Sequence, residues 1–373
     1  MNLNLVQFSA WDEGKIEKFI YFKKSLQENL ATYFPETVDE YKKLLHPDSP
    51  FAKDYQWSGF IVYQEKKIVA KAILAWRNGS KTGNLGFIDW ENDLTVARAL
   101  TNKIEAYAKT MGLKEIKTPV DINFFVKYRI KCPGGGAPYF GEPIYPDYYH
   151  ELFAATGYQV VGTWDTYLIK RFASFTNMMK KRKNLKKRNH AFHSQVSVRL
   201  LKMNDWDNEL KIVYKLFLDS FSAMPEFETI TFEQFKLVYD DFKYIIHPLL
   251  SYIVELNGTP VAFSINYPDP LAILSKVKNK KLSKLDKVLL MIKLRLNFKI
   301  LLMPYMGKTK GPNGEEVKGV FLKISKMLAY GVAAAQKGLV CYQSPDSPSK
   351  RPIDPELVQE YAKYVLYGKS LDQ

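Results

Sequence analysis

Two stretches of this chain carry one pattern: Phe60-Ile-Val-Tyr-Gln-Glu-Lys-Lys-Ile-Val-Ala-Lys-Ala-Ile73 and Tyr252-Ile-Val-Glu-Leu-Asn-Gly-Thr-Pro-Val-Ala-Phe-Ser-Ile265. They superpose without a gap, 192 positions apart (Phe60 on Tyr252), and match Ile61 to Ile253, Val62 to Val254, Val69 to Val261, Ala70 to Ala262 and Ile73 to Ile265. Each is an apolar run, a polar turn and a second apolar run, the signature of a β-hairpin. Hairpins of that kind recur in unrelated chains, so the pair gains weight from a second match at the same offset. Leu5-Val-Gln-Phe8 falls on Ser197-Val-Arg-Leu200, and each is followed by an acidic, helix-starting segment, Trp11-Asp-Glu13 or Asn204-Asp-Trp206. The chain therefore reads as two units of similar order, and 373 residues allow each to bury a core of its own.

Aromatic residues make up 14% of the chain, too many for disorder and suited to deep grooves or apolar ligands. The two cysteines, Cys132 and Cys341, make no disulfide framework, which points to a reducing compartment. The first residues lack a basic and then apolar leader, and the most apolar stretch, Val288 to Met306, is broken by Lys293, Arg295, Asn297 and Lys299; a cytosolic protein is expected. A net charge of +15 and a pI near 9.3 attract polyanions: nucleic acid, an anionic lipid surface or a phosphorylated cofactor. Much of the excess is local, in Lys180-Lys-Arg-Lys-Asn-Leu-Lys-Lys-Arg188, between the halves. That run reads as a solvated linker over 173–195 or as a basic face resting on anionic phospholipid at the inner face of the membrane. Neither a helix-turn-helix, a zinc-ligand pattern nor an RNP motif accompanies it, which weighs against nucleic acid. The five histidines show no zinc spacing, so no metal is expected, and Walker A and Gly-x-Ser-x-Gly patterns are absent.

In the first half a strand near Leu3–Phe8 leads into a helix from the acidic Asp12, with Ile16, Phe19, Ile20 and Phe22 on its apolar side. The hairpin follows, then a strand around Leu85–Trp90, a helix from Asp93 to Met111 capped by Gly112, and a strand at Lys114–Pro119. The loop Cys132-Pro-Gly-Gly-Gly-Ala-Pro138, a helix at Asp147–Thr156 and a strand through Tyr158–Lys170 complete it. The second half runs strand Val196–Leu201, helices in Asp207–Ser220 and Thr231–Tyr244, and the hairpin Leu250–Tyr267. Lys293-Leu-Arg-Leu-Asn-Phe-Lys-Ile300 alternates basic and apolar residues and reads as a strand with a cationic face, followed by a glycine-rich loop and a helix over Val320–Gln336.

Strand, helix, hairpin, strand, glycine-rich loop, helix, strand resembles the GNAT acyltransferase superfamily, and two copies resemble a tandem GNAT. Gly86-Phe-Ile-Asp-Trp90, the helix Val96–Met111, Thr118-Pro-Val-Asp-Ile-Asn123 and Tyr145-Pro-Asp-Tyr-Tyr-His-Glu-Leu-Phe-Ala-Ala-Thr-Gly-Tyr158 look like a set found in bacterial tandem GNAT-like proteins, and cover about Leu5 to Lys170. Asn257-Gly-Thr-Pro-Val-Ala-Phe263 and Tyr267-Pro-Asp269 look like the partner domain. That group includes enzymes proposed to N-acylate long-chain bases in bacterial sphingolipid synthesis. The resemblance thus implies a fatty acyl-CoA and a lipid amine.

The family holds the diphosphate of CoA on backbone N–H groups after its fourth strand, at a helix N-terminus. In the first half that turn carries Asp89, Glu91 and Asp93, which would repel a diphosphate and are better explained as helix caps. In the second half it runs from Tyr305 to Val320 and supplies Met306, Gly307, Lys308, Lys310, Gly311, Gly314, Lys318 and Gly319; an ordinary surface turn with solvated lysines is the alternative. Acyl transfer needs a base for the amine, donors for the thioester oxygen and an acid for the thiolate. Tyr305 lies on the fourth strand, Glu255 or His247 is a base candidate, and Tyr342 is a candidate acid. Asn123, Tyr145, Tyr149 and His150 gather by sequence where an acceptor pocket could form, or a packed corner.

The expectation is an α/β tandem GNAT fold of two mixed-sheet domains flanked by helices, with a degenerate first domain over 1–172 and acyl-CoA, acetyl or fatty, in a second over 196–373. The reaction is acyl transfer to an amine acceptor, amphiphilic and at an anionic membrane surface. A soluble N-acetyltransferase of a small amine or protein lysine, and a non-catalytic GNAT-fold binding protein, remain open.

Overall fold

The computed structural model describes residues 2–30, 33–170, 196–222, 224, 227–276, 282–296, 298–310, 335–344 and 358–372. The basic run 180–188, the linker over 173–195, Gly311, Gly314, Lys318, Gly319 and nearly all of the helix expected over 320–336 lie outside them. The described residues form two compact units. One comprises Met1–Gly134, Gly141–Thr163 and Lys363–Gln373, the other Gly135–Phe140 and Trp164–Ala362. This differs from a division of the chain into 1–172 and 196–373, because the last strand pairs with a strand of the first unit.

In the first unit, β1 (Leu3–Phe8), β2 (Tyr55–Gln64), β3 (Lys67–Arg77), β4 (Thr82–Trp90) and β5 (Glu115–Thr118) lie side by side in that order. All neighbours are antiparallel except β4 and β5, which run parallel over Thr82–Asn84 and Glu115–Lys117. Short strands β6 (Val120–Asp121), β7 (Lys127–Tyr128) and β8 (Ile130–Lys131) follow. Helices α1 (Glu13–Gln27), α2 (Val38–Leu45), α3 (Leu94–Thr110) and α4 (Tyr148–Ala155) flank the sheet. Local chemistry explains their ends. The Asp12 carboxylate accepts from Lys15 N–H, Thr37 and Glu40 form a capping box, and the Asp93 carboxylate accepts from Thr95 and Val96 N–H. Gly112, at φ +74°, ends α3 as the sequence implies. Ile16, Phe19 and Phe22 are the buried apolar face of α1, and Phe60, Val62, Leu74, Trp90, Leu100 and Ile104 are among the core side chains of the unit.

In the second unit the order is β9 (Gln159–Lys170, in this unit from Trp164), β14 (Lys337–Gln343), β13 (Ile300–Lys308), β12 (Thr259–Pro268), β11 (Tyr252–Leu256) and β10 (Val196–Leu200). Only β13 and β14 are parallel, over Ile300–Met303 and Lys337–Val340. Helices α5 (Trp206–Phe221) and α6 (Phe232–Tyr239), a turn α7 (Leu271–Leu274) and α8 (Lys284–Leu296) complete the described part. Finally β15 (Val358–Ser370) contributes Lys363–Ser370 to the first unit, where Tyr367 pairs with Thr118 of β5.

The repeat extends to the irregularities. The β2–β3 and β11–β12 hairpins each shift register once, at Val62/Tyr63 and at Val254/Glu255, which are equivalent positions. Their turns use positive φ at Glu65 and at Asn257-Gly258. The edge strands match one residue differently from the sequence alignment. Leu5 pairs with Val62 and Val198 with Val254, so Leu3 and Leu5, not Val6, correspond to Val196 and Val198, the residues packed inward. A second difference is larger: Lys293–Leu296, expected in a strand, belongs to α8. Leu290 and Leu294 pack inward one turn apart, and the apparent period of two came from basic residues that flank a helical stripe.

Candidate functional site

Each unit opens a wedge at the same place in its sheet. After Asn84 in β4 and Met303 in β13 the parallel pairing ends. Close to that point each strand carries one extra residue against its antiparallel neighbour: Lys71 and Ile73 face Asp89 and Gly86, while Ile265 and Tyr267 face Tyr305 and Leu302. A bulge bends and twists its strand, which carries it away from the parallel partner. In β4 the kink falls at Phe87, at φ +46°, and a Cβ on Gly86 would collide with the Val120 carbonyl.

In the second unit the wedge is apolar and aromatic. The Tyr305 ring lies 5.7 Å from Phe217, 6.0 Å from Tyr239 and 6.4 Å from Phe242. Tyr342, at φ +56°, stands 6.0 Å from Tyr139, and its N–H bonds the Thr166 hydroxyl. Tyr267 links the two: burial pushes its phenol well above the usual range, and Tyr305, Cys341, Tyr342 and Asp269 add to the effect. Thus Tyr305 and Tyr342 are brought to one cluster, with a carboxyl, Asp269, that the sequence marked only as the end of the Tyr267–Asp269 motif. Burial raises Asp269 against the N–H groups of Leu271 and Phe140 that its Oδ1 accepts.

Glu255 is not brought there. It lies two strands from β13 and accepts from Arg199 Nε at 2.6 Å, while the Arg199 guanidinium also holds Glu209 at 2.9 Å. Burial lowers the pKa of His247, helped by the charge of Arg295, and its Nδ1 is buried without a hydrogen bond. Thr309 N–H bonds Val261 carbonyl, which fixes the alternation along β13. In an antiparallel ladder, alternate residues turn their backbone groups to opposite edges, so Met306 and Lys308 face the edge that β14 has left. Gly307 fits beneath α5, where a Cβ would meet Ser220 and the Phe263 ring, and Ser220 Oγ bonds the Lys308 carbonyl at 2.9 Å. Lys310 is tied to the end of α5, its N–H to Asp219 and its ammonium to Ser222 at 2.6 Å.

The first unit holds charge at its wedge. Asp89 forms a fully buried ion pair with Lys71 at 2.7 Å and also accepts from Gln27 and from the Tyr149 hydroxyl at 3.0 Å. Glu91 pairs with Lys67 at 2.6 Å, so of the three carboxylates in this turn only Asp93 is a helix cap. Beside the bulge lies a cavity of about 330 Å³ whose walls include Lys23, Glu36, Tyr41, Phe87, Asp121 and Lys127. Lys23 and Glu36 pair, and the Tyr41 hydroxyl donates to Glu36 at 2.7 Å. None of the four residues expected at an acceptor pocket is among the lining residues of this cavity; Tyr145 touches one of them, with the Lys127 ammonium 4.7 Å from its ring centre. Tyr149 serves Asp89. Asn123 bonds the Tyr55 hydroxyl and Phe125 N–H, and His150 is held at both nitrogens, by the Tyr367 hydroxyl and the Lys131 carbonyl, each at 2.8 Å. Asn123 and His150 therefore brace the fold. Lys23 and Glu36 gave no sequence signal beyond an ordinary charged helix face and loop; Asp121 lay inside the Thr118–Asn123 motif.

No family model matches the chain. Protein YghO of Escherichia coli (strain K12) is 22% identical over 269 residues, 69% of this chain and 67% of that protein. Among solved structures, a tandem GNAT protein from the clavulanic acid biosynthesis pathway aligns over 100% of this chain and 99% of its own, with a TM-score of 0.53 and 12% identity. A GCN5-related N-acetyltransferase from Anabaena variabilis aligns over 99% and 73% (TM-score 0.53, 9% identity), and a probable N-acyltransferase from Enterococcus faecalis over 100% and 73% (TM-score 0.57, 6% identity). With its two bulged, wedge-opening sheets in sequence, the chain has the tandem GNAT fold.

Proposed function

We propose that the protein is an acyl-CoA-dependent N-acyltransferase with the thioester at the open edge of β13. The observation that carries this reading is the splay of β13 from β14 after Met303, which turns the backbone N–H of Met306 to the side that β14 has left. Fixed backbone N–H groups of that kind stabilise the oxygen charge that develops during acyl transfer. The amine nitrogen bonds the thioester carbon as the carbon–sulfur bond breaks; a base takes the ammonium proton and an acid protonates the thiolate. Tyr305 or Tyr342 is the acid. Asp269, kept a better base by burial, suits the first role more than Glu255, whose charge Arg199 already answers. Lys308 and the glycines and lysines of 311–319 hold the CoA phosphates.

The amine is amphiphilic and met at an anionic membrane surface. Support comes from α8, whose Leu285, Val288, Leu289, Ile292 and Leu296 form one exposed stripe opposite the packed Leu290 and Leu294. Between 276 and 299 the sequence has nine cations and one carboxylate, the combination that seats a helix in a headgroup layer.

Thermal shift of the protein with acetyl-, octanoyl- and palmitoyl-CoA tests the reading. Stabilisation that grows with chain length is expected. No shift with any CoA rejects the enzyme, and preference for acetyl-CoA rejects the lipid substrate. On vesicles containing phosphatidylglycerol, Leu289→Asp/Ile292→Asp should release the protein without lowering its Tm; retention would remove α8 from the membrane contact.

A further inference from the structure

Helix α8 carries apolar side chains on two sides. Leu285, Val288, Leu289, Ile292 and Leu296 are exposed, whereas Leu290 and Leu294 are 7% and 2% exposed. At about 3.6 residues per turn the two sets lie on roughly opposite faces. A helix that is apolar all round is ordinarily covered all round, and here one face is left open.

The covered face lies on the aromatic cluster of the second unit. Leu290 and Leu294 share a core cluster with Tyr267, Leu302, Leu339 and Cys341, and Phe242 and Tyr342 pack against it. Phe242 joins this cluster to the wedge, its ring 5.7 Å from Tyr267 and 6.4 Å from Tyr305. Polar anchoring of the helix is poor by comparison. Lys287 meets Asp241 at 2.8 Å where solvent reaches both side chains, and a pair of that kind contributes little. At the other end the His247 ring bonds the Arg295 backbone, yet His247 Nδ1 and Arg295 Nε are both buried without a hydrogen-bond partner. Unpaired buried groups penalise the closed contact, and both find partners once water or a lipid phosphate reaches them.

We infer that α8 is a lid worked by the membrane: on an anionic surface its exposed stripe enters the headgroup layer, the helix leaves the cluster of Tyr267 and Tyr342, and the wedge opens toward the bilayer. In water Leu290 and Leu294 hold the lid shut, because exposing them is unfavourable. In the headgroup layer either face of α8 finds hydrocarbon, so that restraint is removed. Lys284, Lys287, Lys293 and Arg295, against Asp286 alone, supply the attraction to anionic lipid. The lid rests on the membrane contact proposed above for α8, and not on the acyl group or the catalytic base.

Cys341, 1% exposed in that cluster, reports the opening. In a Cys132→Ser protein it is the one thiol of the chain, and its modification by N-ethylmaleimide can be followed by mass. Modification should be slow in buffer and on phosphatidylcholine vesicles. On phosphatidylglycerol vesicles it should quicken roughly 10-fold or more, as the rate follows the open fraction, while the amides of β11 and β12 stay protected from hydrogen exchange. Adding Leu289→Asp/Ile292→Asp should keep it slow on both. A protein that sediments with phosphatidylglycerol vesicles but keeps Cys341 slow overturns the lid and leaves the membrane contact standing; one that does not sediment overturns both. Fast modification in buffer, equal speed in the stripe variant, or loss of protection in β11 and β12 would also overturn the lid.

Discussion

Glu36 lies on a cavity wall with its charge fixed by its neighbours. Burial, the largest influence, would push its carboxyl up, but Lys23, Lys71 and the Tyr41 hydroxyl outweigh it and bring it from 4.5 to about 2. A folded pKa below the unfolded one contributes stability that is complete above the unfolded value and is lost as pH falls toward the folded one. For Glu36 that window runs from about 4.5 down to about 2 and is worth about 3 kcal/mol. Urea unfolding measured across this range should show a steep loss for the wild type and a shallower one for Glu36→Gln; parallel curves would mean that the Lys23 pair does not hold this charge. No pattern in the sequence marks Glu36 or Lys23, because a charged residue on a helix or in a loop is solvated by default. What removes it from water is the partner brought by the fold.

At the scale of elements, α8 separates two readings of one segment. In a strand, residues two apart share a face, so Leu294 and Leu296 would be equally buried. In the helix they diverge, with Leu294 2% and Leu296 81% exposed. Leu294→Ala should therefore destabilise the second unit by about 2–5 kcal/mol and Leu296→Ala by less than about 0.5 kcal/mol in chemical denaturation. Equal losses would restore the strand. The helices and hairpins that were legible carried local signals: Asp93 before α3, Gly112 after it, and polar turns at Glu65-Lys66 and Asn257-Gly258. Basic residues interleaved with leucines carry no such punctuation, and their period misled. The wedges were not read from the sequence: a bulge is set by pairing between strands, and its one local mark here is Pro304, which has no N–H to give the ladder.

For the whole molecule, the sequence repeat implied two successive halves, and the contacts redistribute them. Lys363–Gln373 closes the first unit: Tyr367 and Leu371 join its core, Tyr367 pairs with Thr118, and the Lys369 ammonium reaches Glu105 at 2.8 Å. A pairing between residues so far apart in the chain cannot be read from local pattern. Truncation after Ala362 should strip β5 of a neighbour, so hydrogen exchange at Glu115–Thr118 should quicken markedly while β11 and β12 keep their protection. Equal loss in both units would show that they unfold as one.

That last strand also sets an order of events at the ribosome. Domains ordinarily fold in the sequence in which they emerge. Here the segments up to Gly134 and over Gly141–Thr163 must wait, with one side of β5 unpaired, until 363–371 have been made, by which time every described strand of the second unit is already available. The half synthesised first is the half completed last, and its unfinished sheet edge is the part of the nascent chain that most needs shielding from other chains.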